Sequence, residues 1–112
     1  TRATWGTEAD NPEADKAELT NMYKRASSWS TKTGIPVMIN EFGAAKFDYA
    51  KPQNKCELES RLKYLRHHIT EASRHGIAAT FWDDGGSFSS YDRDQRTWGP
   101  EKDVLVAPNL SK

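Results

Sequence analysis

Apolar residues recur along this chain with two periods. Leu19, Met22, Tyr23, Ala26 and Trp29 recur at spacings of three and four (Leu19 to Met22 and Tyr23, Met22 and Tyr23 to Ala26, Ala26 to Trp29), which places them on one stripe of a helix. Asn11-Pro12-Glu13 predicts the start of that helix: Asn suits the cap, Pro the first helical position, and an early acid the positive end. Gly34 predicts its end in a left-handed cap. The run Ile35-Pro36-Val37-Met38-Ile39 then reads as a buried strand with Pro36 confined to its beginning, and it stops at Asn40-Glu41-Phe42-Gly43. Residues 44–55 read as a polar loop. Leu58, Leu62, Leu65, Ile69 and Ala72 fall at steps of 4, 3, 4 and 3, predicting a second helix from about Cys56 to Arg74, closed by Gly76. Ile77-Ala78-Ala79-Thr80-Phe81-Trp82 reads as a second buried strand, ending at Asp83-Asp84-Gly85-Gly86. The remainder is loop-like, and only Asp103 to Ala107 suggests a further short element, of either type.

The two strand regions are copies of one pattern. Gly34 to Gly43 aligns with Gly76 to Gly85 at a period of 42 residues. Each copy begins with Gly-Ile, runs through an apolar strand, and places an acid seven residues on and a glycine nine residues on. Helix, strand, loop repeated in this way predicts a parallel βα array. Two parallel strands buried on both faces cannot be covered by two helices. The expected partners therefore come from outside these strands.

Composition narrows the class. Sixteen basic and 16 acidic side chains balance, which removes the electrostatic case for nucleic acid or an anionic membrane as partner. Apolar runs are only a few residues long, too short to span a bilayer as a helix. Apolar content is 36%, yet the chain holds four Trp, four Tyr and four Phe, a set that suits either core packing or stacking on flat ligands such as sugars. Cys56 is alone, so no internal disulfide forms. Thr1 is not an initiator Met and no secretory leader pattern follows it, so the chain reads as a piece of something longer.

In a parallel βα barrel the functional face lies at the carboxyl ends of the strands. Glu41, Trp82 and Asp83 all fall there. Position alone leaves two readings of Glu41 open: a reactive carboxylate, or a structural one bonded to loop amides or an arginine. Ile35-Pro36-Val37-Met38-Ile39-Asn40-Glu41-Phe42-Gly43 resembles the nucleophile strand of glycoside hydrolase family 5, the seventh strand of that family's barrel, which ends in Glu-Phe-Gly. Gly76-Ile77 followed by Phe81-Trp82-Asp83-Asp84-Gly85-Gly86 is similar to the family's eighth strand, commonly ending Trp-Asp-Asn-Gly, with Asp84 replacing the Asn. Ser90-Tyr91-Asp92-Arg93 resembles the aspartate-arginine loop that often follows, and Thr4-Trp5 the tail of the loop after strand six. The tail from Asp94 to Lys112 departs from the clear eighth helix that the family predicts.

The resemblance implies the fold class: residues 1–112 as the carboxyl-terminal part of a single (β/α)8 catalytic domain, needing the other strands to close it. It implies a secreted, retaining hydrolase of internal β-1,4 linkages in a plant polysaccharide, with no cofactor or metal. Glu41 is then the nucleophile, and Trp82, Trp5 and Asp83 bind the polymer. Retaining enzymes of this kind need two carboxyl groups about 5 Å apart. Glu8, Glu13, Glu18, Glu57, Glu59, Glu71 and Glu101 all fall in predicted helices or loops, so the acid/base Glu is expected on a complementary amino-terminal barrel segment. The isolated chain is therefore expected to be inactive. The rival reading is a non-catalytic barrel fragment, an assembly module that pairs with a complementary chain or with itself. His67, His68 and His75 meet no metal-ligand spacing and read as solvated helix residues. Cys56 reads as incidental, and Lys46 and Phe47 as loop residues near the cleft.

Overall fold

The computed structural model describes Trp5 and residues 15–110. Its elements are α1 (Lys16–Thr33), β1 (Met38–Phe42), α2 (Leu58–Arg74), β2 (Ala78–Phe81), β3 (Tyr91–Asp92), β4 (Thr97–Trp98) and α3 (Glu101–Leu110). β1 and β2 pair in parallel, as the 42-residue repeat predicts, and β3 and β4 form a separate antiparallel hairpin.

Asp15 caps α1 by accepting from the Lys16 N–H; the start predicted at Asn11-Pro12 lies outside the described residues. Gly34 closes the helix with φ 73°, a conformation costly for any residue with a Cβ, and its N–H bonds Ser30 O at 2.8 Å. Four of the five stripe residues pack: Tyr23 is fully buried, with Leu19, Met22 and Ala26 beside it. Trp29 departs from the expectation and is 49% exposed, because the packed part of α1 ends at Ala26.

The first strand starts later than expected. Ile35 is 52% exposed and Pro36 has no N–H to donate, so pairing begins only at Met38, opposite Ala78. The second strand is shorter than Ile77–Trp82, although the Trp82 N–H still donates to Phe42 O at 2.8 Å. The tail after Asp94 also corrects the expectation. The residues from Glu101 on form a helix, entered just after Pro100 and with Glu101 and Asp103 in its first turn.

All three helices lie against the same side of the β1–β2 pair. Tyr23, Ala72 and Ile77 form one buried cluster and Phe42, Leu65 and Val104 another; Ile39 and Ala79 touch both. Among the described residues nothing covers the other side: Met38 is 58% exposed, and Asn40, Glu41, Ala78 and Thr80 are exposed with it. Sequence reasoning expected strands buried on two faces, and these bury one. The uncovered face is the one that further strands of a barrel would close over.

Candidate active site

β1 contains a bulge, and the bulge decides where Glu41 goes. Ile39 pairs with Ala79 and Phe42 with Phe81, so β1 uses one residue more than β2 between these two pairs. In an unbroken strand, residues three apart face opposite sides. Here Ile39 and Phe42 both pack toward the helices, and Asn40 and Glu41 are both left exposed. Among the described residues no ion pair or hydrogen bond holds the Glu41 carboxylate. The structural reading, a carboxylate committed to loop amides or an arginine, therefore finds no partner for it.

Trp82 follows β2 directly and is 46% exposed. Gly43 allows the two strand exits to run this close. A Cβ at Gly43 would lie 3.1 Å from a ring carbon of Phe88 and 3.4 Å from the Trp82 carbonyl oxygen, tighter than packed atoms ordinarily sit. This gives the glycine of Glu-Phe-Gly a steric reason. Phe42 and Phe81 meet edge to face beneath, with ring centroids 5.8 Å apart. The residues flanking Glu41 and Trp82 are thus one packed unit.

Asp83 and Asp84 shape the loop after β2. Asp83 Oδ2 accepts from Ser90 N–H at 2.9 Å, Tyr91 N–H at 3.3 Å and the Ser90 hydroxyl at 3.3 Å, while Oδ1 accepts from Gly85 N–H at 2.8 Å. Desolvation raises its pKa, but these donors outweigh that and hold the carboxyl below the usual range. Asp84 accepts from the Tyr49 hydroxyl, and its other oxygen from Gly86 and Phe88 N–H at 2.8 and 3.0 Å. The bond to Tyr49 lowers the acid and raises the phenol. Fully buried Ser87 ties the two loops together: its hydroxyl donates to Phe47 O at 2.6 Å and accepts from Phe47 N–H at 3.0 Å. Lys46 reaches Ser89 Oγ at 3.0 Å. These bonds fix the loops around Glu41 and Trp82.

The structure separates Trp5 from this group. Its ring meets Tyr64 edge-on at 5.4 Å and His67 at 5.7 Å, and its backbone N–H donates to Ser60 Oγ at 3.1 Å. Trp5 is held on α2, in a groove also lined by Lys16, Lys63, Arg66 and Arg74, and not beside Trp82.

The reading of solvated histidines is corrected. His68 is 4% exposed, with Nδ1 2.7 Å from Tyr23 Oη and Nε2 3.0 Å from Tyr64 Oη. Its ring stacks on Phe42 with centroids 4.9 Å apart. Its spacing from Leu65 and Ala72, three and four residues, was the available signal for burial. His67 bonds Thr20 Oγ1 at 2.7 Å. Burial, with a smaller push from His67, drives the His68 pKa from 6.5 down to about 4. Below pH 6.5 the unfolded chain therefore takes up a proton that the folded chain refuses. Stability is full above that pH and falls toward pH 4, by on the order of 3 kcal/mol at most from this group. Urea unfolding midpoints at pH 7 and pH 5 are expected to differ less in His68→Phe than in wild type, and an equal difference would refute the linkage.

No family profile matches the chain. It is 31% identical to endoglucanase B of Clostridium cellulovorans over 105 residues, covering 88% of this chain and 21% of that protein. It is 29% identical to endoglucanase A of Clostridium longisporum, with 92% and 19% covered. The chain thus spans about a fifth of the curated relatives it matches. Among solved structures, Thermotoga maritima Cel5A in complex with cellobiose superposes with a TM-score of 0.71 at 28% identity, over 95% of this chain and 30% of that one. A GH5-4 broad-specificity endoglucanase from Clostridium acetobutylicum superposes with a TM-score of 0.63 at 26% identity, over 86% and 28%. By these likenesses the chain is similar to a part, about 30% of the length, of cellulase-like barrels of glycoside hydrolase family 5.

Proposed function

We propose that this chain supplies the nucleophile of a retaining endo-β-1,4-glucanase. The observation that carries the proposal is the bulge in β1, which leaves an unpartnered Glu41 exposed at the strand's carboxyl end, level with Trp82. Glu41 attacks the anomeric carbon and forms the glycosyl-enzyme, and Trp82 offers its flat face to the apolar face of the sugar. Asp83 acts on the polymer indirectly, by holding the 84–91 loop in shape. The acid/base Glu belongs to a complementary amino-terminal barrel segment that covers the exposed side of β1 and β2. The substrate is a β-linked polysaccharide or oligosaccharide, and a secreted location fits a polymer of that kind.

Complementation tests this reading. The isolated chain is expected to be inactive on soluble β-1,4-glucan. Combined with a segment carrying the first six strands of a related barrel, it is expected to release reducing ends. Hydrolysis by the isolated chain at the rate of the combined protein would refute the need for a partner.

A further inference from the structure

We infer that His68 is the positioning residue for Glu41, clamping Phe42 so that the β1 bulge keeps its register. This inference rests on the proposed role of Glu41 as nucleophile.

The chain of contacts is short. Phe42 follows Glu41 and is 6% exposed; its ring stacks on His68 and meets Phe81 edge to face, with Leu65 and Val104 in the same buried cluster. His68 is in turn fixed from two helices, by Tyr23 of α1 and Tyr64 of α2. A neutral imidazole has one N–H and one lone pair. One hydroxyl donates to the ring and the other accepts from it, so every polar atom in the clamp is satisfied and the ring plane is set.

The bulge makes this placement necessary. One extra residue in β1 is tolerated only if something holds Ile39 and Phe42 on the same side; a slip by one position would turn Phe42 outward and Glu41 inward. Leu or Phe at position 68 would fill the space, but it would leave the buried Tyr23 hydroxyl and the part-buried Tyr64 hydroxyl without their partner and the Phe42 ring free to choose another angle. The histidine therefore supplies direction as well as volume.

The test uses the completed barrel and a 2-deoxy-2-fluoro-β-cellobioside with a dinitrophenolate leaving group. In its first step a Glu41 oxygen bonds C1 while the C1–O bond breaks and dinitrophenolate leaves with the electron pair. Mass spectrometry locates the label, and dinitrophenolate release gives its rate per folded molecule. His68→Phe is expected to slow labelling at least about tenfold, since small misplacements of a reacting group cost on the order of a hundredfold. His68→Gln, which keeps a donor and an acceptor, is expected to recover most of that loss. Tyr64→Phe removes one anchor with little change in volume and is expected to slow labelling severalfold even if His68→Phe does not fold. Wild-type labelling rates in folded His68→Phe, or in Tyr64→Phe where His68→Phe does not fold, would overturn the positioning role and leave the nucleophile standing. A label found on a residue other than Glu41 would instead overturn the reading beneath it.

Discussion

Glu41→Gln is expected to lower hydrolysis of soluble β-1,4-glucan by the completed barrel about ten-thousandfold, with the fold unchanged. The size follows from the role, since losing the nucleophile of a two-step enzyme removes the covalent route and leaves only binding and electrostatics. A factor of 10⁴ corresponds to about 5.5 kcal/mol of transition-state stabilisation. Stability is expected to change little, because the side chain is exposed and no bond within the described residues depends on it. A second measurement separates nucleophile from acid/base. With Glu41→Ala, an activated β-glycoside and azide, a lost nucleophile lets azide enter from the vacated face and gives an α-glycosyl azide. A lost acid/base would leave the glycosyl-enzyme to be opened from the opposite face, giving the β-azide. A β product would reassign Glu41, and unchanged hydrolysis in Glu41→Gln would remove it from the chemistry.

The strand ends were legible because they repeat. The 42-residue period put Glu41 and Asp83 at corresponding places on two parallel strands, with Trp82 just before Asp83, and pairing of Met38 with Ala78 is that period minus two. The bulge was not legible, because Asn40-Glu41 contains no glycine or proline to mark it. It arises from which side the Phe42 ring finds partners on. His68 was misread for a related reason. A histidine pattern gives no sign of the tyrosines that satisfy it, since Tyr23 comes from a helix 45 residues earlier. α3 was obscured by its charges: Glu101, Lys102 and Asp103 leave little apolar periodicity in its first turn, yet Glu101 is 1% exposed. Thr4-Trp5 resembles the tail of the family's loop after strand six, whereas the structure packs Trp5 on Tyr64 and His67.

The buried Glu101 sets up the largest expected loss of stability. Arg61 Nη2 meets Glu101 Oε1 at 2.7 Å, with side chains 8% and 1% exposed. Arg61 also reaches the Ala44 carbonyl at 3.4 Å, so one side chain ties α3 to the segment just after Glu41-Phe42-Gly43. Among the described residues Glu101 Oε2 is buried without a hydrogen-bond partner. The carboxylate therefore depends on Arg61 for most of its compensation. Arg61→Met is expected to cost about 3–5 kcal/mol, because it leaves a charge buried and unpaired. Glu101→Leu alone strands the guanidinium and is expected to cost nearly as much. The double variant Arg61→Met with Glu101→Leu is expected to recover most of the loss, since desolvation of the pair offsets much of its attraction and apolar residues of similar size fill the same space. Urea unfolding of the four proteins at pH 7 closes the cycle. Additive losses in the double variant would show that Arg61 and Glu101 act independently and that α3 is held by Val104 and its apolar neighbours alone.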